Sequence, residues 1–196
     1  MPEERPAQGP ILTLEPLLEA VREGLEGQGW ELSGLQKTTS YEFEGRWAGD
    51  SSRSAYLFFH KAGASDWASI DVFLDETSRG LKGNLALVLD GPPLDRIRNP
   101  ATALETLSAL GKKALPKGYR APLTLRYRLP TLGKDAAQAD TEIRFKLLIP
   151  RKALLSGFSA VSALAGAASN SFQGLLESPE LEPFWPSEDG SDTAGE

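Results

Sequence analysis

The chain has no cysteine, one histidine and one methionine in 196 residues. Without thiols, disulfides, iron–sulfur ligation, thiolate metal sites and thiol nucleophiles are excluded. Any zinc site would have to be built around His60 alone, so neither a metal nor another cofactor is expected. A long, strongly apolar run is missing too. Residues 153–176 carry no charge, but Ser is as frequent there as Leu, and Asn170 and Gln173 interrupt the run, so a buried helix is expected rather than a membrane span. The opening Met-Pro-Glu-Glu-Arg-Pro has no apolar stretch of the secretory kind, which makes the cytoplasm the expected compartment.

Charge is present and unevenly placed. Thirteen of the 21 basic residues fall between Arg96 and Lys152 against four acidic ones, giving +9 in a chain whose total is −6. The flanks are acidic, and residues 153–196 hold seven acids with no Lys or Arg. Segregated charge of this kind points to a surface that meets something.

Composition is otherwise that of one globular domain, with 40% apolar and 24% charged residues. Residues 1–12, with three prolines, are expected to form a disordered arm. Thr13 is placed to cap a helix in which Leu14, Leu17, Leu18, Val21 and Leu25 recur every three or four positions, ended by Gly27-Gln28-Gly29. Four strands follow, at residues 41–47, 55–61, 67–75 and 81–90, joined by short loops rich in Gly, Asp and Ser as in an antiparallel meander. Thr102 with Glu105 has the spacing of a capping box for a second helix, ending near Lys113. Two more strands at 122–129 and 141–149 precede the uncharged helix. The resulting order, α-ββββ-α-ββ-α, predicts a single α+β domain over residues 13–176, with a mainly antiparallel sheet and helices on one face.

The last two strands form a hairpin with two unlike faces. Residues two apart share a face of a strand, so Leu125 and Tyr127 join Ile143 and Phe145 on the apolar side. Arg126, Arg128, Arg144 and Lys146 are then expected to crowd the outward plane, with Lys117, Arg120, Arg151 and Lys152 close enough in sequence to extend it. Arginine grips phosphate and carboxylate in bidentate fashion, so this face is a candidate for an anion or an acidic partner. Four phosphate contacts would give a log–log salt slope of about −3, which makes single-stranded nucleic acid the weaker reading. Residues 177–196 are expected to be a disordered acidic tail, with Leu181, Phe184 and Trp185 as a compact apolar motif within it.

Catalytic patterns are not found. His60 closes the apolar run Tyr56-Leu57-Phe58-Phe59, where a structural role is expected, and Gly157-Phe158-Ser159-Ala160-Val161 lacks the second glycine of a nucleophile elbow. Gly24 to Gly29 lacks the spacing and the lysine of a phosphate loop. Glu42, Glu44, Asp71 and Asp75 are the remaining candidates for a carboxylate-dependent or metal-dependent enzyme. The order of elements resembles that of small acidic chaperones such as the type III secretion chaperones, and the resemblance implies a homodimer that binds extended partners. The leading expectation is a non-catalytic adaptor that contacts another protein through the basic hairpin and the tail; the alternative is binding of nucleic acid or another polyanion.

Overall fold

In the computed structural model the chain is an α+β domain, described over residues 10–40, 52–61, 67–91, 100–128 and 140–183. In chain order the elements are α1 (Leu14–Glu26), β1 (Trp30–Ser40), β2 (Ser52–Lys61), β3 (Ala68–Thr77), β4 (Gly80–Gly91) and α2 (Pro100–Ala114). They are followed by β5 (Thr124–Arg128), β6 (Asp140–Leu148), α3 (Arg151–Ser156) and α4 (Phe158–Leu176). One antiparallel sheet runs β1-β2-β3-β4-β6-β5. The meander is β1 to β4, and the hairpin joins it through β6.

Period-two alternation decides which face is covered. Leu57 and Phe59 of β2, Ile70, Val72 and Leu74 of β3, Leu85, Leu87 and Leu89 of β4, and Ile143, Phe145 and Leu147 of β6 are all buried, and they form one core with α1, α2 and α4. The body of the domain also takes in residues on either side of the expected bounds. Ile11 is buried and donates its N–H to Leu154 O at 2.9 Å, and Leu181 is 2% exposed.

Four local readings are corrected. Thr13 makes no side-chain cap; Glu76 at the end of β3 takes its place, accepting the Leu14 N–H at 2.9 Å. Arg53 then holds Glu76 at 2.5 Å and Glu15 at 2.8 Å, clamping the start of α1 to β2 and β3. Second, α2 starts at Pro100, so Thr102 lies inside its first turn and not at its cap. Third, the uncharged run is two helices, broken at Gly157, whose φ of 95° belongs to the left-handed region that side chains disfavour. Fourth, a strand that was not expected, β1, precedes the one placed at residues 41–47, which lies outside the described residues.

The small residues of α4 receive α1. A Cβ on Gly24 would come within 2.2 Å of Ser162 O and 2.8 Å of Ala165 Cβ, so the two helices touch backbone to backbone. In an isolated helix Gly24→Ala would stabilise by about 1 kcal/mol. Here it must push the helices apart, and we expect a net loss of about 1–3 kcal/mol in urea unfolding. At the other end of α1, Glu76→Ala should cost about 1 kcal/mol while Thr13→Ala changes little, since only the carboxylate satisfies the orphan N–H.

Candidate functional site

The face of the sheet away from the helices carries three of the expected cations, Arg144 and Lys146 on β6 and Arg126 on β5. Arg144 points outward from β6, beside Val88 of β4 on one side and Thr124 of β5 on the other. Its guanidinium is tied on two sides, with Nε 2.5 Å from Glu142 Oε1 and Nη2 3.1 Å from Asp71 Oδ2 on β3. To reach Asp71 it must cross β4, whose outward Ala86 and Val88 are only 1% and 3% exposed. Arg126 on β5 completes the row, Nη1 standing 3.5 Å from the same Glu142 oxygen. The ladder Asp71–Arg144–Glu142–Arg126 holds two charges of each sign.

Two of the four hairpin cations are therefore met by carboxylates. Lys146, half-buried beside Ala86, has no ion pair among the described residues. Arg128 and Asp140 are backbone register partners at the end of the β5–β6 pair. The other candidate cations are not gathered onto this face by any described ion pair. Lys117 is exposed in the turn after α2, and Arg120 donates Nη1 to Lys112 O at 2.6 Å, completing the end of that helix. Arg151 and Lys152 are exposed at the start of α3.

Burial and pairing set the protonation of the ladder. The Asp71 carboxyl is pushed above its ordinary value, chiefly by burial, against the opposing pull of Arg144 and a hydrogen bond from Ser69. Arg144 is raised further, first by its hydrogen bond to Glu142. Asp75 accepts from Ser54 Oγ at 2.7 Å and pairs with Lys82 at 3.0 Å. Asp71 and Asp75 are thus each engaged by a neighbour, while Glu42 and Glu44 lie outside the described residues. Among the described residues no group of three or more His, Cys, Asp or Glu side chains is placed to hold a metal. His60 is exposed on this same face, opposite Glu31.

Beside the ladder runs a row of three apolar residues interrupted by Asn84, which the strand alternation did not single out. Tyr56, Phe73, Asn84 and Leu148 stand opposite one another across β2, β3, β4 and β6. Tyr56 is 40% exposed and Leu148 48%, and the Tyr56 and Phe73 rings meet at 4.9 Å and 43°. Half-buried Phe58 flanks them. The signal was present in β2, which is apolar on both sides of its alternation: one side enters the core, and the other is left on the open face.

Of the tail motif, Leu181 belongs to the core and Phe184 and Trp185 lie outside the described residues. The turn leading to Leu181 is pinned by Glu180, whose carboxyl is held down to about 2 by the Ser178 hydroxyl, a backbone N–H and Lys113, the last at 3.2 Å. No family model, curated protein or solved structure matches this chain.

Because the folded-state value of Asp71 is raised, the folded chain holds that proton more tightly than the unfolded chain. Stability from this group is present at low pH and is lost as pH rises through the ordinary aspartate value of about 3.9 and on to the higher folded value. Carboxyl-detected titration should place Asp71 above ordinary aspartate, and Arg144→Ala should raise it further while costing about 1–3 kcal/mol, since Asp71 is then left buried without its cation.

Proposed function

We propose that this is a binding or adaptor protein that acts through a protein partner docked on the open face of the sheet. The observation carrying this reading is the in-register row Tyr56–Phe73–Asn84–Leu148, with two large apolar side chains left 40% and 48% exposed. Exposed aromatic groups held by a strand surface are the kind that supply the anchors of protein interfaces. The adjoining ladder supports the same reading, because a row of alternating, fixed charges offers a register for a polar rim rather than an attraction for a polyanion. The basic hairpin thus takes part through its geometry more than through its net charge. Lys146, next to the row, is the cation best placed to meet an acidic group of the partner.

The test is affinity capture from the source cell with three proteins: the natural chain, Tyr56→Ser/Phe58→Ser, and Leu12→Ser, which alters an exposed leucine in the segment before α1. A partner of the open face is held by the first and third and lost with the second. Once that partner is purified, the double variant should weaken its Kd by tenfold or more, which is about 1.4 kcal/mol. Equal capture by all three would overturn the reading. So would saturable retention of single-stranded oligonucleotides at about 150 mM salt that depends on Arg126 and Lys146.

A further inference from the structure

A second apolar surface lies at the far end of β6. Pro116 and Tyr119 from the turn after α2, Leu148 from β6, and Leu164, Ala167 and Ser171 from α4 line a cleft of about 110 Å³. Its size is comparable with apolar cavities, on the order of 150 Å³, that hold a single benzene. Tyr119 is 40% exposed at its mouth, and the Tyr119 carbonyl is already taken by the Leu148 N–H at 2.7 Å, so the backbone of the wall is satisfied and the cleft presents side chains.

We propose that this cleft is a docking site for one aromatic ring of the chain's own Phe184–Trp185 pair. The point where the described chain stops is the first reason. After α4 the backbone turns, buries Leu181, and pairs Glu180 with Lys113 at 3.2 Å, and Lys113 is three residues before Pro116 in the cleft wall. Pro183 follows Glu180 by three residues, and the next two residues, Phe184 and Trp185, are a pair of large apolar side chains. Charge is the second reason. Residues 184–196 hold four acids and no base, whereas exposed Lys117 lies between Pro116 and Tyr119, and exposed Arg151 and Lys152 follow Leu148 by three and four residues. None of these three cations has an ion pair among the described residues. An aromatic ring seated in the cleft would bring the acids that follow it toward cations that adjoin the cleft wall in sequence. This inference does not rest on the open-face reading, and Leu148, which borders both surfaces, is left unaltered in both tests.

The absence of cysteine makes the test clean in the full chain, because Ser191→Cys gives a single attachment point for a nitroxide. With the label oxidised, the amide signals of Tyr119, Leu148, Ala167 and Ser171 should lose most of their intensity relative to the reduced state. The loss should disappear in Phe184→Ser/Trp185→Ser and shrink in Tyr119→Ser. Tyr56→Ser should leave it unchanged, so that failure of the open-face reading stays separate. The inference is overturned if those four amides keep their intensity, if the loss centres on another surface, or if it survives the double substitution. It is also overturned if the loss appears on nitrogen-15 protein without a label that is mixed with labelled protein at natural abundance, which would assign the cleft to a second copy.

Discussion

The close approach of α1 to α4 is the constraint on which the rest of this domain depends. Gly24 lets the Ser162 carbonyl and the Ala165 methyl sit where a side chain would be, so the helices form a tight layer over the sheet. Gly111 does a similar service on α2, where a Cβ would come within 3.0 Å of the Phe145 ring. Because the helical layer lies on one side only, the odd and even positions of every strand acquire different fates. One set makes the core, and the other set is displayed. The displayed set is where chemistry specific to this chain can be read.

Charge illustrates how far sequence windows and space can diverge. Along the chain the hairpin looks like a block of cations, and it is one. In the fold, β6 is inserted next to β4 and within reach of β3, so the acidic meander delivers Asp71 to Arg144, while Glu142 on β6 itself bridges Arg144 and Arg126. Arg144 and Arg126 are thus neutralised where they stand, whereas Lys117, Lys146, Arg151 and Lys152 have no ion pair among the described residues. Burial of Ala86 and Val88 beneath this lattice gives it a structural role as well: long side chains shield small apolar ones on a face that no helix covers among the described residues.

Much of the architecture was legible because periodicity survives in single elements. The leucines of α1, the alternation of β3 and β6, and the turn at Thr77-Ser78-Arg79-Gly80 all predicted the element they belong to. What was not legible has physical causes. β1 hides its alternation behind a bulge at Ser33 and a glycine at 34, followed by Gln36, Lys37, Thr38 and Thr39, so no window of it looks half-buried. The capping of α1 by Glu76 spans 62 positions and has no local signature. The break at Gly157 sits in a run with no charge to mark it. At the candidate site, the cations were found but not their partners, and the exposed row Tyr56–Leu148 depends on a register across four strands that only the assembled sheet supplies.

The strand that was hardest to see is also the one at the border of the sheet, and its irregularity matters beyond this molecule. β1 offers eleven residues along one side of the sheet, long enough to template another chain. The kink at Ser33, fastened by its hydroxyl to the Phe58 carbonyl at 3.0 Å, and the ammonium of Lys37 further along interrupt that template. At the opposite border β5 is only five residues long. One crooked margin and one stunted margin are poor templates for edge-to-edge pairing, so Tyr56 can stand 40% exposed on the face of a sheet whose rims do not invite another strand.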